Sequence, residues 1–359
     1  MATDWSALFP DSTAPARRKP TALEQLGWDP FFAQQIDAGA LTATPPVRVV
    51  AVHRNGLQLA GDGIDETIPS GSEVAVGDWL LLDPARPRSS QVLERKSLIK
   101  RRAPGRDRQT QLIAANIDTV FVVTSCNQDF NVARLERYIA MAFETTIEPV
   151  IVLTKTDLVD DPAPYIEAAH AVSNRVPVVA LNVHGDEPAK ILANWCRPGK
   201  TVAFVGSSGV GKSTLTNILL GAPVIETRGI RENDARGRHT TTRRELHFIP
   251  GGCLVLDTPG MRELQLTDAA SGIAHVFEDI EALAVRCRFT DCQHDTEPGC
   301  CIQAAVADGR LDLTRFARWL KLQAEDAFNS ASLSERREKD RAFGKLVRSA
   351  KNAKTRSDF

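Results

Sequence analysis

Gly206, Ser207, Ser208, Gly209, Val210, Gly211, Lys212, Ser213 and Thr214 read GSSGVGKST and satisfy the pattern G-x-x-x-x-G-K-[ST]. An apolar TVAFV precedes them, and STLTNILL, a helix-forming stretch, follows. In that strand–loop–helix setting small residues let backbone N–H groups turn inward around phosphates. Lys212 then supplies a cation to the outer phosphates and the Ser213 hydroxyl ligates Mg²⁺ at a helix N-terminus. A glycine-rich turn without a ligand is the plain alternative, and the strand, the Lys-Ser pair and the helix together weigh against it. Further on, CLVLDTPG is an apolar strand ending in Asp257, with Gly260 shortly after it. The carboxylate suits the Mg²⁺ shell and the glycine amide the terminal phosphate. Between the two motifs, ETRGIRENDARGRHTTTRREL is polar and suits a loop that orders around a terminal phosphate and Mg²⁺. One of Thr240, Thr241 and Thr242 would complete the metal shell, with Thr241 the working choice. Three adjacent threonines equally suit an edge strand.

A second nucleotide signal lies before the first. Thr154, Lys155, Thr156 and Asp157 read TKTD after the apolar PVIVL. At the end of a strand, the Asp157 carboxylate can accept paired hydrogen bonds from the N1–H and exocyclic amine of guanine, with the Lys155 stem packed along the nucleotide. Adenine offers no such donor pair, so Asp157 argues against an ATPase. Thr154 stands where guanine-binding proteins usually carry Asn; it is shorter and lacks the amide, so weaker base affinity or weaker loop bracing is expected. Alone, T-K-x-D reads as a solvated turn, and it is the phosphate loop after it that makes GTP and GDP the expected ligands. In most guanine-nucleotide proteins the order of the two signals is the reverse. A parallel doubly wound sheet keeps its ligand crevice at the carboxyl ends of the strands whichever strand the chain enters first. The order here therefore reads as a circular permutation, with a base-reading half over 119–183 ahead of a phosphate-reading half over 201–272.

Directly after DTPG stands Met261, where a Gln would orient the attacking water. The group that does so must come from elsewhere, so slow turnover by the isolated protein and stimulation by a partner are expected. Cys287, Cys292 and His294 are followed by the adjacent Cys300 and Cys301, and three thiolates with one imidazole suit a closed, structural tetrahedral Zn²⁺ site. Either of the two adjacent cysteines can supply the third thiolate. Cys126, Cys196 and Cys253 are scattered and read as small buried hydrophobes.

The elements that must hold these groups follow from periodicity. From 119 onward DTVFVVTS, EPVIVLTK, VPVVALN and TVAFVG are apolar runs alternating with helical stretches, which gives a mostly parallel, doubly wound sheet. In the first of those helices Val132, Leu135, Ile139 and Ala142 share one face. Earlier, VRVVAV, GLQLA, SEVAV, WLLLD and SQVLER are short stretches separated by Asn-Gly, Gly-Asp-Gly and similar turns, and about five strands so close together predict a small closed barrel. Residues 1–45 read as an extension with one short helix around ALEQLGWDPFFAQQI. After the cysteines a helix over DLTRFARWLKLQAEDAF carries Arg315, Arg318 and Lys321, and the end of the chain is basic. These cations, with those of 95–108, are candidates for RNA phosphates against the plainer reading of solvated helix faces.

The chain of 359 residues, 43% hydrophobic and with a net charge of −1, is an ordinary globular sequence large enough for several domains, not a uniformly basic one. The start MATDWSALFPDS lacks the features of a signal peptide and the apolar runs are too short to span a bilayer, so a cytoplasmic, non-membrane protein is expected.

Together GSSGVGKSTLTNILL, GRHTTTRRE, DTPGMRE, the permuted TKTD and CRFTDCQHDTEPGCCI resemble the ribosome small subunit-dependent GTPase A family of bacteria, over roughly residues 46–330. The resemblance implies a multidomain fold: an OB-fold RNA-binding barrel over 46–100, a circularly permuted P-loop GTPase α/β domain over 101–272 and a small α-helical zinc-binding domain over 273–330, while the longer extension over 1–45 and the basic tail over 331–359 are where this sequence departs from the family. It implies a GTPase of late small-subunit maturation, stimulated by that subunit and contacting its rRNA, with His239 as the water-positioning candidate and Cys300 as the fourth zinc ligand. A monomer is expected. A nucleotide-sensing RNA-binding scaffold whose hydrolysis is incidental is the competing reading, kept open by Met261.

Overall fold

A computed structural model describes residues 19–37, 39, 43–53, 55–70, 73–102, 110–185, 187–222, 244–257 and 266–330. The single N-terminal helix expected from the sequence is two. Thr21 opens α1 (Ala22–Gln25) with a reciprocal capping box to Glu24, the chain breaks at Gly27, and Asp29 caps α2 (Pro30–Ala33) with Pro30 in its first turn. This segment packs on the barrel: Trp28 and Phe32 both lie against Trp79, and Phe31 against Phe32.

The barrel region comprises β1 (Pro46–His53), β2 (Gly56–Gly61), β3 (Asp65–Ile68), β4 (Trp79–Leu81), β5 (Gln91–Val92), β6 (Leu98–Arg102) and β7 (Thr110–Ala115). β1 pairs antiparallel with β2 and β4, β3 continues from β2, β5 pairs β4, and β6 pairs β7. Val47, Val49, Leu57, Leu59, Ile68, Leu80 and Leu82 form its own small core. Where the sequence predicts a strand at SEVAV, the chain instead turns: the buried Asp78 carboxylate accepts the Ala75 N–H and Gly77 N–H donates to Val49 O. The missing strand is the polar DETI, recruited as β3 by pairing with β2 despite its low strand propensity. The boundary expected between 100 and 101 falls inside β6.

Next come β8 (Thr119–Ser125), α3 (Val132–Glu144), β9 (Glu148–Thr154), α4 (Ala163–His170), β10 (Val178–Ala180), α5 (Pro188–Ile191), β11 (Thr201–Val205), α6 (Lys212–Leu220), β12 (Arg244–Phe248) and β13 (Leu254–Asp257). The order β10-β9-β8-β11-β13 is parallel throughout, as the continuous apolar runs require of strands buried on both faces. β12 then adds antiparallel to β13 and pairs β1 through Ala51 with Glu245 and Val52 with Arg244. Among the described residues one mixed sheet therefore runs from the α/β core into the barrel.

The C-terminal part is helical: α7 (Ala270–Val276), α8 (Glu278–Ala284), α9 (Cys301–Ala307) and α10 (Leu313–Ser330). α7 lies hard against α3, since a Cβ on Gly272 would come within 1.9 Å of Ala140 O. α10 buries Phe316, Trp319 and Leu322. Two of the cations considered for RNA point inward: Arg318 Nε donates to both oxygens of the fully buried Glu136 at 3.0 and 2.8 Å, and Arg315 forks onto Asp279 at 2.8 Å from each nitrogen. Lys321 is exposed.

Candidate functional site

The phosphate loop is bent by glycines that nothing larger could replace. Gly206 leaves β11 at φ 137°, where a Cβ would sit 2.1 Å from Val123 O on the neighbouring β8, and Gly211 ends the loop at φ 98° immediately before α6. The first-turn amides of α6 thus open into the loop. Lys212 Nζ donates to Gly206 O at 2.8 Å and to Ser207 O, so its cation already lies over the loop. Ser213 and Thr214 follow in the first turn, half-buried.

The other nucleotide motif ends β9. Thr154 is fully buried, Lys155 adopts the left-handed conformation at φ 58°, and Thr156–Leu158 form a single 3-10 turn that leaves Asp157 exposed. β9 and β11 flank β8 in the parallel sheet, so both motifs emerge at its carboxyl edge. They also touch: Thr154 Oγ1 donates to Val210 O at 2.7 Å, with Thr124 O 3.2 Å away as a second acceptor. Thr154, standing where Asn is usual, thus gives the loop one hydrogen bond of its own. Arg134, in the first turn of α3, donates to Ser207 Oγ, a contact for which the sequence carried no signal. β13 brings the backbone of Asp257 to the same edge. The Asp257 side chain, Gly260, Met261, His239 and Thr240–Thr242 lie outside the described residues.

The second cluster is Cys287, Cys292, His294 and Cys300, whose ligand atoms all lie within 4.8 Å of one another. His294 Nδ1 stands 3.6 Å from Cys287 Sγ and 3.5 Å from Cys300 Sγ. Backbone geometry positions both ends: His294 itself turns at φ 61°, and Cys300 caps α9 by accepting the Gln303 N–H. Cys301 faces away, its thiol donating to Arg286 O at 3.0 Å, while its N–H donates to Cys287 Sγ. Burial opposes ionisation of Cys287, but the amides of Cys301 and Ile302 hold its thiol below the ordinary value; Cys292 is pushed up to about 11 by burial and by the neighbouring thiols. Three soft sulfurs and an imidazole at these separations form a set that can hold one metal ion.

The model of the RsgA GTPase family matches residues 92–267. A protein of Vibrio parahaemolyticus named small ribosomal subunit biogenesis GTPase RsgA 2 is 46% identical over 338 residues, covering 92% of this chain and 93% of its own. The chain belongs to the RsgA GTPase family. Another relative, the small ribosomal subunit biogenesis GTPase RsgA of Mesorhizobium japonicum, is 47% identical over 317 residues, covering 86% of this chain and 91% of its own. The crystal structure of YjeQ from Thermotoga maritima superposes with a TM-score of 0.58 at 25% identity, over 78% of this chain and 97% of that one. That of YloQ, a circularly permuted GTPase, superposes with a TM-score of 0.53 at 21% identity, over 80% of this chain and 97% of that one, and supports the permuted fold. Like its relatives in name, this member is a GTP-hydrolysing enzyme. Among the described residues no helix is long and apolar enough to cross a membrane.

Proposed function

We propose that this protein hydrolyses GTP as a late assembly factor of the small ribosomal subunit, with turnover stimulated by that subunit. The observation that carries the reading is the Thr154–Val210 hydrogen bond, which joins a base-reading strand end to a phosphate-reading loop across 56 residues of chain. In this reading Asp157 grips guanine, Lys155 and Thr156 line the base, and the loop from Gly206 to Thr214 holds the phosphates with Lys212. Ser213, Thr241 and Asp257 would hold Mg²⁺, the Ser213 hydroxyl fitting that role at the helix start; the ion would supply charge neutralisation between the outer phosphates. Gly260 would present its amide to the terminal phosphate and His239 would position the water, as a neutral imidazole can.

The Cys287, Cys292, His294 and Cys300 set fits Zn²⁺ with no position left open, so its role would be structural. Residues 46–100, with the β6–β7 hairpin that extends them, are assigned as an OB-fold RNA-binding barrel. The chain from the end of that hairpin to 272 would be the permuted GTPase domain, 273–330 the zinc domain and 331–359 the basic tail, the last with rRNA contacts. This reading takes the protein as a cytoplasmic monomer.

The test is GTP turnover by the full chain with and without purified small ribosomal subunits. Slow turnover alone and a large stimulation by subunits are expected. Fast turnover alone, or none with subunits, would overturn the reading, and nucleotide binding without stimulated turnover would favour the scaffold.

A further inference from the structure

Helix α3 meets the phosphate loop at one end and the C-terminal helices along the rest of its length. Asn131 caps it, and in its first turn Arg134 donates to Ser207 Oγ and, at 3.5 Å, to Asp129 O. Arg134 is otherwise exposed, and among the described residues no carboxylate pairs with it. Two residues on, Glu136 is fully buried and held by Arg318 of α10, with Arg315 Nη1 3.5 Å away. Arg137 pairs with Glu325 of α10, and Glu144 accepts the Gly272 N–H of α7 at 2.8 Å.

A helix of 13 residues is stiff over this length. A charge taken out of water and satisfied by a single neighbouring helix fixes the two helices to each other, because separation leaves the carboxylate buried and unpaired. Burial pushes the Glu136 carboxyl up against the opposing pull of Arg318, so this side chain is sensitive to how α10 is seated. Any displacement of α3 that follows is delivered to Ser207, the second residue of the phosphate loop, whose carbonyl also receives Lys212.

We propose that Arg134 is a positioning residue of the phosphate site, through which α3 makes nucleotide binding sensitive to the seating of α10. The proposal rests on the reading of this loop as a GTP site. It does not require Arg134 to touch the nucleotide. By reciprocity, filling the phosphate site would also tighten α10 against α3.

The experiment titrates the full-length protein with fluorescent GDP and with a non-hydrolysable fluorescent GTP analogue, comparing wild type, Arg134→Ala, Arg134→Lys, Arg318→Met and Arg134→Ala/Arg318→Met. Arg134→Ala should weaken GTP-analogue binding about fivefold or more, and Arg134→Lys should restore part of it. Arg318→Met should weaken binding by about threefold in the wild-type background and have almost no effect once Arg134 is gone, since the two then act on one path. Should Arg318→Met fail to fold, judged by circular dichroism, Glu136→Gln replaces it in the same cycle. Wild-type affinity in Arg134→Ala, or effects of the two changes that simply multiply, overturns the proposal. A wild-type protein with no preference for guanine over adenine nucleotides sinks the functional reading as well. Guanine binding intact with a silent Arg134 sinks this inference alone.

Discussion

The GTPase core carries a neighbour on each side, and the two junctions are built from different physics. On the barrel side the sheet continues through backbone pairing of β1 with β12, and a single buried cation closes the seam. Arg48 donates to Leu26 O of the N-terminal segment, Gly77 O of the barrel, Asn116 O of the connector and Thr201 Oγ1 at the start of β11. All four acceptors are neutral, and burial pulls the guanidinium down to about 10. On the other side the contact is helix on helix, and its polar part is mostly ion pairs: Glu136 with Arg318 and, at 3.5 Å, Arg315, and Arg137 with Glu325, beside the Gly272 N–H donated to Glu144. A seam of backbone bonds and neutral acceptors has one geometry in which every group is satisfied. In the seam of ion pairs the buried Glu136 ties α3 to α10, while the partly exposed Arg137–Glu325 pair can be exchanged for water, so α10 can shift and carry α3 with it. The barrel should therefore move with the core, and the C-terminal helices should be the part able to shift.

The largest effect that tests this contrast is at Arg48. Arg48→Met keeps much of the side-chain volume but takes its donors from four acceptors in a place water does not reach, of which Gly77 O keeps a bond from Asn116 Nδ2, and it strips the tie between the N-terminal segment, barrel and β11. Relief of the buried charge offsets part of that, so a net loss of about 3–5 kcal/mol is expected. Thermal unfolding should lose the barrel and the core together in one transition with a clearly lowered midpoint. Separate melting of the barrel, with the core unchanged, would break the claim that the two form one unit.

A smaller effect is expected on the C-terminal side, and of a different kind. Arg318→Met leaves the fully buried Glu136 facing only Arg315 at 3.5 Å, which should cost about 2–3 kcal/mol. Replacing both partners, Glu136→Met with Arg318→Met, removes the uncompensated charge and should recover most of that loss. A double variant as damaged as the single one would show that this seam is as uniquely specified as the other, and the contrast would fail.

What the sequence could and could not say follows the same division. The phosphate loop, TKTD and the cysteine spacing were readable because each is a local pattern whose chemistry sits within a few residues. The core strands were readable because burial on both faces leaves long apolar runs. Arg48 was not, because a lone arginine in VRVV looks like the solvent side of a half-buried strand, and its partner Thr201 is 153 residues away. Glu136 was not, because periodicity placed the apolar face of α3 at Leu135, Ile139 and Ala142, while its cation stands 182 residues on. Arg315 and Arg318 looked like a basic surface for the same reason. β3 was hidden by its composition, since pairing with β2 and not propensity makes DETI a strand. Charge satisfied at long range has no local signature.

The smallest test concerns a seam inside the core, between its two permuted halves. Thr154 and Val210 meet through one hydroxyl-to-carbonyl hydrogen bond in a fully buried setting, which is the neutral, backbone-directed chemistry of the barrel junction on the scale of a single contact. Thr154→Val keeps the shape and removes the donor, leaving Val210 O without that bond at the point where the loop must hold its curve. The expected cost is about 1 kcal/mol, read as an affinity for GDP lower by about fivefold. Thr154→Asn, which restores the residue usual in guanine-binding proteins, brings back a donor but adds volume beside Gly211, where a Cβ would already lie 3.8 Å from the Thr154 methyl. If Asn binds GDP better than Thr here, the hydroxyl is a weakened substitute; if it binds no better, the loop is shaped around threonine and the two halves of the site are matched to each other.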